Sequence, residues 1–227
     1  GGGGGSADAG PATPGGMTLH FSHQVQGQPL VIDADATLED GSPLTFTKLR
    51  YWVSNLVLVG DGNPDYAVPD SYFLVEQTRD NSRLSIDLEG VPSGAYSGLQ
   101  FSVGVDVDHN HSLDSLTGEL AAGIGMDWGW NSGFIFLKTE GEVGLNAGGF
   151  EKSFSFHIGR DENYRTVTLN HAFSVADSAA PELQLNAELT TLFTDLNRAN
   201  NLSILGGTVA GTIADNYGSM WTIESAN

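Results

Sequence analysis

The sequence predicts a mainly β protein, an antiparallel β-sandwich with one long functional loop and one short helix near the C-terminus. Three observations predict this fold. Short segments rich in β-branched and aromatic residues alternate apolar with polar positions along most of the chain. Clusters of Gly, Asn, Asp and Pro separate these segments at short intervals, as turns between strands do. Hydrophobic residues make up 40% of the 227 positions, which is enough for the core of one sizeable domain.

The first sixteen residues differ from the rest in composition. Residues 1–16 read GGGGGSADAGPATPGG, which is typical of a flexible linker. Such a stretch is compatible with an ordinary disordered tail, and equally with the tether that follows a removed signal peptide and a lipid-bearing cysteine. We therefore expect a Gly-rich linker over residues 1–16 and a single β domain over residues 17–227.

The predicted strands follow one another from residue 17 onward. The first two are MTLHFSHQV and PLVID (residues 17–25 and 29–33), and the long segment TFTKLRYWVSNLVLV (residues 45–59) ends at the turn GDGNPD. The later ones are SYFLVEQ, SRLSIDL, YSGLQFSVGVDV, GFIFLKTEGEV, KSFSFHIG and YRTVTLNHAFSV. So many short strands separated by turns favour an all-β sandwich or barrel, and we expect an Ig-like or jelly-roll-like sandwich.

Two regions interrupt the strand pattern. Residues 106–130 form a long, polar connection, and loops of this length are often functional. Near the C-terminus, PELQLNAEL (residues 181–189) predicts a strand, and TTLFTDLNRANN (residues 190–201) predicts the short helix.

Charge and motifs exclude several classes of function. The net charge of −19 repels nucleic acid and anionic lipid, and it suits cations, a basic partner or simple solubility. The absence of cysteine excludes disulfides and iron–sulfur clusters. No apolar run approaches the ~20 residues of a transmembrane helix. No GxSxG elbow and no phosphate-binding glycine loop occurs, so we expect a binding protein rather than an enzyme.

Histidine and methionine are the soft metal ligands that this chain offers. Imidazole and thioether are the ordinary Cu(I) ligands left when cysteine is absent. The candidates are His20, His23, His109, His111, His157, His171, Met17, Met126 and Met220. Their spacing selects no subset, and a histidine in a strand is also an ordinary core or surface residue.

Oxygen ligands cluster at the start of the long connection. Within DVDHNHSLDSLTGE, the side chains of Asp106, Asp108, Asn110 and Asp114 resemble a Ca²⁺-binding loop. The match is partial, because His111 takes the place of the usual Gly and Thr117 that of the usual Glu. The alternative is a solvated acidic turn.

Two tryptophans flank one glycine at the end of the same connection. The segment GMDWGWNSGFIF places Trp128 and Trp130 just before a predicted strand. They either cap the sandwich or serve a metal site. Indole has no lone pair for a metal, whereas kynurenine, the ring-opened oxidation product of tryptophan, carries an aromatic amine that has one.

Four segments in order resemble one known family. They are LRYWVSNLVLVGDG, VPSGAYSGLQFSVGVDVDHNH, GMDWGWNSGFIFLKTEG and FSFHIG (residues 49–62, 91–111, 125–141 and 154–159). Their order and spacing are similar to those of MbnP-like proteins, over nearly all of the chain after residue 16. The resemblance implies a periplasmic or outer-membrane-anchored copper protein, encoded with a di-haem MauG-like peroxidase that converts a tryptophan of its partner to kynurenine.

The resemblance also implies a copper site. His111 and His157 match histidines of the family, His23 matches a histidine found in some members, and Trp128 and Trp130 match its two tryptophans. We therefore expect Cu(I) among these histidines, with Met126 or a kynurenine as a further ligand. The alternative is a structural or interaction module of the cell envelope that Ca²⁺ stabilises.

Overall fold

The computed structural model describes residues 15–111, 116–122, 124–128, 132–177 and 180–226. Two of the candidate residues, Asp114 and Trp130, lie outside these ranges, as does most of the predicted linker. No helix among the described residues is long and apolar enough to cross a membrane.

Strands make up most of the described chain. They are β1 (Gly15–Val25), β2 (Gln28–Pro29), β3 (Ala36–Thr37), β4 (Pro43–Gly60), β5 (Tyr66–Ala67), β6 (Tyr72–Thr78), β7 (Ser82–Arg83), β8 (Ser85–Val91), β9 (Gly94–Val103), β10 (Ile135–Gly144), β11 (Glu151–Gly159), β12 (Arg165–Val175), β13 (Glu182–Glu188), β14 (Ser203–Ile204) and β15 (Trp221–Ser225). The α-helices are α1 (Val107–Asn110) and α2 (Gly207–Ser219), and 3-10 helices occur at Gly118–Ala122, Asp161–Asn163 and Leu189–Phe193.

The strands form two sheets that pack face to face. The smaller sheet has the order β15-β13-β1-β2, with β8 also paired to β1, and the larger has the order β12-β9-β4-β10-β11-β14. The pairs β1–β13 and β11–β14 are parallel, and the other pairs of these two sequences are antiparallel. The predicted β-sandwich with a short helix near the C-terminus is confirmed, although that helix is α2 and not residues 190–201, and two of the strand pairings are parallel.

Strand β4 organises the larger sheet. Lys48–Ser54 pair with β6 along one edge, while Leu44–Tyr51 pair with β10 and Val53–Gly60 with β9 along the other. Because side chains alternate between the faces of a strand, Tyr51 points into the main core and Trp52 points to the opposite face. That opposite face carries the candidate site.

A second, smaller core covers this outer face. It consists of Trp52, Leu74, Val105, Leu120, Met126, Phe134, Ile135 and Phe136. The long connection supplies Leu120 and Met126, so these described parts of it pack on the sheet. The site residues on this connection are therefore held by a core of their own.

Two local predictions were wrong. Within PLVID only Pro29 lies in a strand, since Asp33 adopts a positive φ of 66° and Val31 is exposed. The helix predicted at residues 190–201 is reduced to the 3-10 turn Leu189–Phe193, and Asp195 follows with a φ of 59°. The longer helix is α2, which buries Ala210, Ile213, Ala214 and Tyr217 against the sandwich.

Candidate metal centre

The end of β11 forms the floor of the candidate site. Gly159 is the last residue of this strand, and Arg160 then takes a positive φ of 74° that turns the chain into the 3-10 helix Asp161–Asn163. The side-chain amide of Asn163 donates to the carbonyl of Gly159 at 2.8 Å and fixes this corner. The corner places the Asp161 carboxylate beside the long connection.

His111 meets Asp161 at this corner. Its Nε2 lies 2.5 Å from Oδ2 of Asp161, while Oδ1 accepts from the side-chain amide of Asn110 at 2.9 Å. Burial opposes ionisation of Asp161, but the bonds from Asn110 and His111 outweigh it and lower the pKa of the carboxyl. The carboxylate is therefore ionised at neutral pH and orients the imidazole.

Asn110 ties this pair to the sheet. The residue is fully buried, and its Oδ1 accepts from the backbone N–H of Phe134 at 2.7 Å. Gly133 is needed next to it, because a Cβ at that position would lie 2.6 Å from Oδ1 of Asn110. Asn110 therefore anchors the long connection to the sheet, while the neighbouring His111 faces the candidate site.

Trp128 lies over the same corner. A Cβ on Gly159 would come within 2.5 Å of Cζ3 of the Trp128 ring, so the indole occupies the space that a larger residue would fill. The backbone N–H of Trp128 donates to the carbonyl of Gly133 at 3.1 Å, close to the start of β10. Trp128 is partly buried against the second core.

One surface cavity joins these groups. It has a volume of about 470 Å³ and is lined by His111, Trp128, Ser132, Arg160, Asp161, Glu162 and Leu205. The predicted candidates His111 and Trp128, which are distant from each other along the connection, therefore face a common space. Two polar residues of this lining, Arg160 and Asp161, directly follow the segment FSFHIG but were not predicted from it.

His157 lies on the same face of β11 as Gly159, two residues earlier. Its Nε2 is 3.3 Å from Glu140 on β10 and 3.2 Å from the Ser155 hydroxyl. Lys48 on β4 approaches the same Glu140 carboxylate at 3.6 Å. His157 therefore lies beside the charged side chains of Glu140 and Lys48 on the outer face of the larger sheet, adjacent to the cavity but not part of its lining.

His23 lies between the sheets and away from the cavity. Its Nδ1 is 3.0 Å from Oε1 of Gln77, and its Nε2 is 2.8 Å from the Tyr51 hydroxyl. The Gln77 amide donates to the carbonyl of Leu30, so Oε1 accepts from Nδ1–H and the neutral ring accepts from Tyr51 at Nε2. Desolvation lowers the pKa of His23 to about 4. Both ring nitrogens are in use, and a metal would have to break one bond.

The remaining candidates lie elsewhere. Met126 is buried in the second core, with its carbonyl accepting from Ile135. Asp106 bonds to Tyr72, whereas Asn110 bonds to Asp161, and Asp108 is exposed in α1, so the proposed calcium ligands point in different directions. Within the described ranges, no three His, Asp or Glu side chains converge in a group that could hold a metal ion.

Comparison with known proteins gives one family and one structure. The family model described as MbnP matches residues 14–211. The solved structure of MbnP from Methylosinus trichosporium superposes with a TM-score of 0.63 at 17% sequence identity, covering 95% of this chain and 100% of that one. A search of curated proteins returns no match. At this identity the superposition demonstrates a shared fold.

Proposed function

This chain belongs to the MbnP family, and from that premise we propose that it is a copper-binding protein of the cell envelope rather than an enzyme. The observation that carries the proposal is the cavity lined by both His111 and Trp128. These two residues come from two separate motifs of the family resemblance, and the fold brings them to one surface.

The His111–Asp161 pair has the geometry of a metal-binding histidine. Histidines that ligate metals commonly donate their other ring N–H to a carboxylate, which fixes the tautomer and makes the ligating nitrogen more basic. With Nε2–H directed to Asp161, Nδ1 is the nitrogen that would bind copper. Imidazole is a good ligand for copper in either oxidation state.

Trp128 is the tryptophan that we propose as the source of the second ligand. Its indole has no lone pair for a metal, but the aromatic amine of kynurenine has one. The ring lines a cavity that opens to solvent, so oxidising equivalents from a docked di-haem peroxidase can reach it. The acidic surface would also attract a basic partner by long-range steering.

The other candidate ligands rank by their distance from this cavity. His157 is the next choice, because it shares a strand face with the glycine beneath Trp128. His23 and Met126 rank lower, since each is buried in a core and would have to leave existing contacts. A calcium site has less support, because Asp106 accepts a hydrogen bond from Tyr72 whereas Asn110 accepts one from Phe134.

Titration with Cu(I) against a competing chelator tests the proposal. The protein should first be co-expressed with the di-haem peroxidase, and fragmentation of the tryptic peptide that contains both Trp128 and Trp130 should place the mass change of kynurenine formation on Trp128. We expect His111→Ala and Trp128→Phe each to weaken Cu(I) binding at least ~10-fold. His171→Ala, on β12 and away from the cavity, should bind as the wild type does. Unchanged affinity in both site variants would refute the assignment.

A further inference from the structure

A second group of side chains that carry metal-ligating atoms meets beside α1, away from the His111 cavity. Nδ1 of His109 is 2.9 Å from the Tyr72 hydroxyl and 2.8 Å from Oδ2 of Asp106. The Tyr72 hydroxyl also donates to Oδ1 of the same carboxylate. A phenol, a carboxylate and an imidazole therefore meet with all three pairs of groups in contact.

Neighbouring residues hold this arrangement in place. Asn55 takes a positive φ of 52° at the bulge of β4, which turns its side chain outward. Its Nδ2 donates to Oδ1 of Asp106 at 3.1 Å and to the Tyr164 hydroxyl at 2.7 Å. The rings of Tyr72 and His109 also pack at 4.8 Å between centroids. The ligand atoms are thus oriented by a second layer of contacts, as in metal sites.

The surroundings favour a cation. A cavity of about 130 Å³ leads to Tyr72 and His109, and the carboxyl side chains of Asp70 and Glu119 also line it. Glu119 is paired with Arg83, but Asp70 and Asp106 add negative charge at the entrance and at the base. His109 keeps part of its side chain exposed, so an ion can approach from solvent.

We propose that Tyr72, Asp106 and His109 form a second metal site, which binds a ferric ion through phenolate, carboxylate and imidazole. In an octahedral complex with bonds of ~2.05 Å, adjacent ligand atoms lie about 2.9 Å apart. The separations of 2.9 and 2.8 Å from Nδ1 of His109 to the Tyr72 hydroxyl and to Oδ2 of Asp106 agree with this spacing, whereas the Tyr72 hydroxyl and Oδ1 of Asp106 lie closer together. The site is separate from the copper cavity, because His109 and His111 face opposite sides of α1 toward Tyr72 and Asp161.

The phenol of Tyr72 favours a trivalent ion. A trivalent cation polarises a coordinated phenol more strongly than a divalent one, and it therefore removes the phenol proton more readily. Tyrosinate is an established ligand of ferric iron, as in the haem of catalase. Binding releases the Tyr72 proton to solvent and moves the His109 proton to Nε2, leaving Nδ1 to the metal.

Titration of the metal-free protein with ferric nitrilotriacetate tests the proposal. We expect stoichiometric binding with a visible phenolate-to-iron charge-transfer band. Tyr72→Phe keeps the ring packing and should abolish the band, whereas Tyr66→Phe, in β5 and away from the site, should retain it. Asn55→Ala should weaken binding about 10–100-fold, as the loss of an orienting neighbour does.

Three outcomes would overturn the proposal. They are the absence of a band, a band that survives Tyr72→Phe while the variant melts like the wild type, and displacement of iron from these residues by equimolar Zn²⁺ or Cu²⁺. His111→Ala should leave the band unchanged, so failure of the copper assignment and failure of the iron assignment can be told apart.

Discussion

His23 couples the stability of the protein to pH. It is buried and neutral, with a pKa of about 4 against an ordinary value of 6.5. Between these values the unfolded chain binds more protons than the folded one, so stability is complete above pH 6.5 and falls as the pH drops toward 4. We expect a loss of about 2 kcal/mol between pH 7 and pH 5 from this residue, measured by urea unfolding at each pH.

A substitution distinguishes the contribution of His23 to the pH dependence of stability from that of other titrating groups. His23→Gln removes the ionisation and should flatten the pH dependence between pH 7 and 5, although the variant is less stable throughout. His171→Gln, a histidine on β12 that bonds to Ser225 near the surface, serves as the control and should keep the wild-type slope. A His23→Gln protein with the wild-type slope would contradict the prediction.

Gly159 is predicted to be essential for the position of Trp128. In Gly159→Ala the new methyl group would meet the indole at 2.5 Å and the carbonyl oxygen of Phe134 at 2.4 Å. Because overpacking of this kind forces side chains and backbone apart, we expect a loss of about 1–3 kcal/mol in stability. A change in the near-UV circular dichroism of tryptophan should accompany it.

Gly211→Ala is the matched control for this substitution. Gly211 lies in α2, and its nearest neighbour, Oδ1 of Asn163, is 4.0 Å from the position of a new Cβ. Alanine is favoured over glycine inside a helix, so this variant should be as stable as the wild type or more stable by up to ~1 kcal/mol. Equal destabilisation by both variants would rule out a specific role for Gly159.

The two sequence candidates His111 and Trp128 line one cavity, but the residues that support it were not predicted. His111 and Trp128 were found because they belong to recognisable motifs, and the cavity contains both. Asp161 was missed because its role depends on the turn at Arg160, whose positive φ follows no local rule for arginine. His23 looked equally suitable in sequence, but only the packing of the sheets shows that Tyr51 and Gln77 occupy both of its nitrogens.

Among the elements, the long connection is the one that the site depends on most. Asn110 fixes its first part to the backbone of Phe134, and the Arg50 guanidinium fixes its second part by donating to the carbonyl of Ile124 at 2.9 Å. Arg83 pairs with Glu119 between these points. These contacts and the second core explain how the described parts of this connection, which have little regular structure, are fixed to the sheet.

Asn110→Ala should loosen this connection. The change leaves the buried N–H of Phe134 without its acceptor, which costs about 1–3 kcal/mol, and removes one of the bonds that hold Asp161. Thermal unfolding should show the loss, and Cu(I) affinity should fall with it. Asp108→Ala, in the same helix but exposed, should change stability by no more than about 0.5 kcal/mol. A wild-type melting temperature for Asn110→Ala would refute the anchoring role.

Helix α2 shows why one element escaped sequence analysis. Its sequence GTVAGTIADNYGS contains three glycines and several β-branched residues, which have low helix propensity. The helix is stabilised instead by burial of Ile213 and Tyr217 and by the Tyr217 hydroxyl, which donates to the carbonyl of Asn163. Tertiary contacts therefore outweigh the low helix propensity of α2. At residues 190–201, where the sequence pattern predicts a helix, only one 3-10 turn forms.

At the scale of the whole molecule, the two ends of the chain complete one sheet. Strand β1 pairs in parallel with β13, and the His20–Glu182 contact across this pair joins residues 162 positions apart. Alternation of apolar residues predicted that β1 is a strand with one buried face, and this is confirmed. Alternation carries no information about the partner or its direction, so the parallel pairing could not be predicted.

The net charge leads to a prediction about the complete fold. With 28 acidic and 9 basic residues, the compact state is destabilised by self-repulsion, and salt screens exposed charges over a Debye length of about 10 Å at 0.1 M. The Arg50–Glu76 pair is partly buried and is screened less. We therefore expect the melting temperature to rise by about 2–4 °C between low salt and ~0.5 M NaCl. Neutralising exposed carboxylates with Asp61→Asn and Glu89→Gln should raise stability at low salt and reduce this response. A melting temperature that falls with salt would mean that local ion pairs outweigh the repulsion.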